Sequence, residues 1–217
     1  MHEGTGRLAP LTGVAFILIV IIGFVIGGEP PDLEDGTRGL VEHYTDNKDS
    51  IMIGSAIVTL GAAVFVFFGG YLRSVLSAGG DASFLPTVAF AGIVIFAVGA
   101  AIDATISFAL AETADDISGQ SVTTLSALWE NDFMPFAMGI LIFLLATGLS
   151  VVQTGALPKW LGWIMIVVAL TALTPIGFVA FLGSALLVLV MSVMLAVRAG
   201  RSGTMPPDER AAPAPPA

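Results

Sequence analysis

The sequence predicts an all-α protein: a polytopic transmembrane bundle of six spans with both termini in the cytoplasm. Three observations carry that expectation. Of the 217 residues, 56 % are hydrophobic and only 12 % are charged, about half the charged share of an ordinary soluble domain. The apolar residues are gathered into runs long enough to cross a hydrocarbon layer. The basic residues alternate between the loops in a way that only an even number of crossings keeps orderly.

The first run, Leu11 to Gly28, is about 27 Å long as a helix, close to the hydrocarbon thickness. Arg7 ahead of it imitates a signal peptide, which is the competing reading. The run is longer than a signal core, and no Ala-x-Ala site follows. Pro30 and Pro31 stop this helix. The acidic loop 29–50 contains Leu40, Val41 and Tyr44 at helical spacing, so a short helix started by Asp35 or Thr37 is expected on the mouth of the bundle. Span two is expected from Asp49 or Ser50 to about Tyr71, and Gly54, Gly61, Gly69 and Gly70 allow close helix approach.

Span three covers Phe84 to Ala111, with Pro86 in its first turn. Ala89, Gly92, Gly99, Ala100 and Ala104 give it a small-residue face. A second acidic loop, 112–132, places Val122, Leu125, Leu128 and Trp129 on one helical face, with Trp129 suited to the membrane interface. Span four is Phe133 to Val152. The apolar run 160–197 is too long for one span and is divided at Thr174, Pro175 and Gly177 into spans 160–174 and 178–198. Trp160, Trp163 and Lys159 read as an interface anchor. Residues 1–198 thus form the membrane domain, and 199–217 a Pro/Ala-rich tail expected to be disordered.

Six spans put Arg7, Arg73, Lys159, Arg198, Arg201 and Arg210 on the side of the termini. They leave Arg38 and Lys48 on the other side with twelve acidic residues. The positive-inside rule makes the first side cytoplasmic. The expected location is the bacterial inner membrane, and the outer face, with two basic against twelve acidic residues, carries a formal charge near −10, against −9 for the whole chain. Such a face draws in cations or basic partners, or simply keeps the loops soluble. It excludes a nucleic-acid surface. Cysteine is absent, which removes disulfides, thiol nucleophiles and thiolate metal ligands.

Asp103 is the one charged residue inside a span, about 12 Å from the outer end of its helix. An unpaired carboxylate in hydrocarbon is costly, so it is expected to face the bundle interior or to be protonated. Three readings remain: an ion or proton relay, a structural polar contact between helices, and water access near the outer mouth. Glu112, nine residues on, extends Asp103 into an acidic vestibule on the relay reading, and caps or solvates the loop otherwise. His43 with Glu42 or Asp46 is a weak metal pattern, with no second histidine near. No nucleophile elbow, Walker A or dinucleotide fingerprint occurs. No catalytic residue, metal or cofactor is therefore expected.

The segments GEPPDLEDGTRGLVEHYTDNK, GGYLRSVL and TGALPKWLGWIMIV resemble a group of uncharacterised bacterial integral-membrane proteins, mostly actinobacterial, with six spans and a domain of unknown function. The resemblance covers 11–198 and implies the span count, without any catalytic residue to carry over. The leading functional expectation is a non-enzymatic membrane scaffold or accessory subunit, partnered by the lipid bilayer and by other subunits docked on small-residue helix faces. A small ion-coupled transporter using Asp103 and a membrane enzyme acting on lipid are the alternatives. A transporter requires a polar cavity reaching Asp103, and a scaffold requires Asp103 sealed and a small-residue face left exposed.

Overall fold

The computed structural model describes residues 8–79, 84–174 and 177–203. Among these the protein is all-helical. Its α-helices are α1 (Thr12–Gly27), α2 (Gly36–Asp46), α3 (Lys48–Ser77), α4 (Leu85–Thr113), α5 (Gly119–Glu130), α6 (Met134–Thr154), α7 (Lys159–Thr171) and α8 (Gly177–Gly203). Short 3₁₀ turns at Ala9–Leu11 and Leu33–Asp35 precede α1 and α2.

Among the described residues, five helical stretches are long and apolar enough to cross a membrane: Ala9–Gly27, Lys48–Ser77, Leu85–Thr113, Gly119–Thr154 and Gly177–Ala199. This is the make-up of a multi-pass membrane protein. The fourth stretch comprises α5, a turn at 131–133 and the apolar helix α6. The expected fifth span, 160–174, is instead the 13-residue helix α7, only about 20 Å long by helical rise and well short of the hydrocarbon thickness. It ends at Thr171, where turns 171–174 lead toward α8. Pro175, expected to divide the two helices, lies outside the described residues, as do Arg7, Asp81 and the tail from 204. At the chain's other end the helix runs to Gly203, a few residues past the expected boundary.

The long helices run alternately up and down, and α7 follows the same alternation. Around the ring, α1 packs on α3, α3 on α4, α4 on α6, α6 on α7, α7 on α8, and α8 returns to α1. Ser192 on α8 closes the ring: its hydroxyl donates to Pro10 O and accepts from Val14 N at 3.2 Å. Arg198 donates to Ala156 O in the α6–α7 turn. The start of α1 and the end of α8 therefore lie at the same end of the bundle.

Glycines set the helix spacing. Gly54 on α3 lies against Gly23 and Gly27 of α1, and Gly148 on α6 faces Gly162 of α7, with backbone close to backbone in both pairs. The axis of the ring is filled with rings. Phe65 stacks on Phe16 at 4.3 Å and meets Phe96 and Phe143 edge-on at 5.7 and 5.8 Å. Phe96 in turn contacts Phe136 and Phe181. This aromatic cluster joins α1, α3, α4, α6 and α8.

The opposite end of the bundle carries a cap. Asp32 accepts from Glu34 N and Ser118 from Ser121 N, so side-chain caps start the turn before α2 and the helix α5. The expected helix in the first acidic loop is α2, entered through Asp35 with no side-chain cap bond. Leu40, Tyr44 and Val122, from α2 and α5, form a separate core with Ile51, Leu110, Ala111 and Ala114 at the ends of α3 and α4. The Thr37 and Thr123 hydroxyls bond at 3.1 Å, and Lys48 Nζ donates to Glu112 O at 3.2 Å. Arg38 and Glu42 pair at 2.7 Å in full solvent, an arrangement that adds little.

Candidate functional site

Beneath the cap lies a cavity of about 130 Å³, bounded by α1, the 28–31 linker, α2, α3, α4 and α5. Its floor follows from helix geometry. Gly23, Gly27 and Gly54 bring α1 and α3 together with nothing larger than hydrogen between the backbones, and the space beside that crossing is left open. Asp103 and Ser107, one turn apart on α4, line it together with Ser55 of α3. The cap supplies His43 and Tyr44 from α2 and Trp129 from α5. Each side chain arrives by its own local logic. Leu40 and Tyr44 share the buried face of α2 and carry His43 along beside them. Val122, buried on α5, is two turns before Trp129 on nearly the same face.

Asp103 is half-buried. It sits ten residues before the end of α4, roughly 15 Å by helical rise. Two neighbours from beyond α4 act on its carboxyl: the Trp129 side chain and the Asp132 carboxylate. Trp129 Nε1 lies near the Asp103 carboxyl without closing a full hydrogen bond to it, and Asp132 Oδ2 is buried without a hydrogen-bond partner among the described residues. A buried acceptor in that condition is unusual in a packed protein and marks a polar site. No lysine or arginine lines the cavity.

Burial pushes the His43 imidazole below its ordinary range, with Asp35 pulling it partly back. Burial likewise holds the Tyr44 phenol high, offset in part by the Ser126 hydroxyl. The His43 shift has a consequence for the cap. The unfolded chain takes up the proton first as pH drops through about 6.5, so stability falls from there and levels off once the folded form is protonated as well. Wild-type protein is expected to lose a little more thermal stability than His43→Gln between about pH 8 and about pH 5. Parallel thermal-unfolding curves at the two pH values check this, and equal losses would remove His43 from the balance.

Glu112 does not join Asp103. It is exposed and outside the cavity, and its carbonyl is tied to Lys48. The reason is angular: nine residues are two and a half turns, which places the two carboxylates on opposite faces of α4. The acid that does approach Asp103 is Asp132, in the turn just before α6, where a carboxylate beside the first apolar residues of a span was the available signal. Trp129, expected at the membrane interface, is one of the residues that line the cavity. His43 is there too, but as a wall; among the described residues no group of three His, Asp or Glu side chains is placed to hold a metal ion.

A second hollow, on the outer surface of α3 and α4, shares Ser55 and Ala104 with the first and adds Thr59 and Thr105. Both threonine hydroxyls donate to the carbonyl four residues before them. They are thereby satisfied and leave that surface compatible with lipid.

The fold and the cavity define a class, a helical multi-pass bundle with a carboxylate-bearing pocket under a two-helix cap. No protein-family model, curated protein or solved structure matches the chain.

Proposed function

We propose that this chain is a small ion-coupled transporter of the bacterial inner membrane, with Asp103 as its ion-binding group. The observation that carries the reading is the cavity that reaches Asp103 from the capped end. The scaffold reading needs Asp103 sealed and a stripe of small residues left free. Instead, Gly54, Gly61, Gly69, Gly92 and Gly99 of α3 and α4 all lie against other helices of the same chain, while Gly70 is open.

On this reading the chain makes six crossings, with α7 as a short one, and both termini are cytoplasmic. The capped end then faces outward. The six-to-two distribution of basic residues supports that orientation. The cavity represents an outward-open state. Phe96, two turns from Asp103 along α4, and the rings around it close the path to the cytoplasm. A carboxylate that exchanges a proton for a cation, with alternate opening of the two ends, gives coupled transport.

The test is proton flux into liposomes containing the purified protein, with a pH difference imposed across the membrane. Wild type is expected to carry protons and Asp103→Asn to carry none, with both variants eluting as the same folded species. Equal flux from both, or none from either, would remove Asp103 as the coupling group.

A further inference from the structure

We infer that the Asp103 cavity takes a small organic ammonium ion, a primary amine of roughly the bulk of benzene, in preference to a metal cation. The inference rests on the transport reading only in taking this cavity as the ligand site. Charge comes first. Asp103 and Glu29 line the cavity and Asp132 lies close to Asp103, while among the described residues no lysine or arginine does, and burial disfavours the charged form of His43 in the wall; a cation is the ligand such a wall selects.

The choice between kinds of cation follows from the remaining wall. A desolvated metal ion needs about six oxygen ligands closing on one point. The side chains here provide Asp103, Ser55 and Ser107 on facing helices, with Glu29 from the 28–31 linker and His43 from α2, and the rest of the wall is largely carbon: Phe24, Tyr44, Trp129 and Val58. Among the described residues no set of ligands for a metal is gathered. An ammonium group asks for less. It donates to one carboxylate and to hydroxyls such as Ser55 and Ser107, and aromatic side chains favour a cation beside them through the ring quadrupole. Its alkyl part then rests on the apolar wall.

Size sets the limit. A cavity of about 150 Å³ holds benzene, and this one measures about 130 Å³. That admits an amine of about six heavy atoms. Asp132, which acts on the Asp103 carboxyl, places a second acidic acceptor near the ammonium end of such a ligand.

Trp129 is also the reporter. Trp160 and Trp163 are 56 % and 59 % exposed on the outer face of α7, so replacing both with Phe leaves Trp129 as the sole tryptophan without disturbing the core. In that background, in nanodiscs at mildly alkaline pH, n-butylammonium is expected to shift Trp129 emission saturably. Sodium at equal concentration and neutral 1-butanol should not. Asp103→Asn should raise the half-saturating concentration about tenfold or more, and Asp103→Glu, which keeps the charge, should recover part of it. No saturable shift, an equal response to sodium, or an unchanged response in Asp103→Asn would each overturn the assignment. The two readings fail separately. Asp103-dependent proton flux without a butylammonium response sinks the amine assignment alone. A saturable, Asp103-dependent response without flux sinks transport and leaves the amine site standing.

Discussion

Gly92→Ala is expected to destabilise the bundle by about 3 kcal/mol, the upper end for overpacking, whereas Gly70→Ala should be neutral or mildly stabilising. Helix propensity favours alanine over glycine by about 1 kcal/mol at either position, so the sign is decided by space. At Gly92 a Cβ would run into Phe143 N and come within 2.8 Å of Phe143 Cα and 2.9 Å of Gly139 O. These are backbone atoms of α6, which cannot rotate away. Gly139 stands in the reciprocal position, where a Cβ would come 2.6 Å from Phe96 N. The antiparallel helices thus mesh glycine against phenylalanine backbone twice, four residues apart on each. One methyl must push α4 and α6 apart along the whole crossing. Hydrophobic transfer cannot compensate in a membrane, where lipid tails are as apolar as the core, so close packing carries the association. At Gly70 nothing lies within 4 Å of the added carbon. Unfolding titrations in mixed detergent and SDS compare the two variants, and a Gly92→Ala curve overlaying wild type would show that the crossing yields.

The mesh explains how much of this protein was legible in its sequence. Composition and run length marked the membrane helices, because hydrophobic thickness is a length and length is written in the sequence. The small residues of α3 and α4 announced close packing, but not the partner. Gly92 meets Phe143 only because α6 lies antiparallel at one register, and neither fact is local. The short α7 shows the same limit. Residues 172–174 continue the apolar run, so hydropathy extends the span, while the backbone turns at Thr171 before the proline at 175. Asp103 was visible as the lone charge within a span. Its neighbours were not, since Trp129 and Asp132 come from the cap and from the turn before another helix. Glu112, the neighbour that sequence proximity suggested, fails on the 100° step of the helix. Local periodicity reports which face a residue occupies, and what stands opposite that face is a tertiary fact.

On the transport reading proposed above, Phe65→Ala is expected to turn a coupled carrier into a proton leak. Phe65 holds ring contacts with Phe16, Phe68, Phe96 and Phe143, drawn from α1, α3, α4 and α6. It lies two turns along α3 from Val58 in the cavity wall, just as Phe96 lies two turns along α4 from Asp103. Removing the ring leaves a void of roughly 100 Å³, costing about 2 kcal/mol at ~24 cal/mol per Å³. A folded bundle survives that loss, and the four remaining rings cannot fill the space, since each is fixed by its own helix. The void opens in the ring cluster about 10 Å along the helices from the Asp103 cavity, and water entering it would bridge the barrier that the rings form. Phe65→Leu, which refills most of the volume, is the control and should stay tight. The diagnostic is the double variant Asp103→Asn/Phe65→Ala: a leak through a water-filled path no longer needs the carboxylate, so flux should persist where Asp103→Asn alone shows none. If liposomes with Phe65→Ala hold a pH gradient as well as those with Phe65→Leu, the rings are packing and nothing more, and the closing barrier must lie among the helix contacts nearer the end opposite the cap.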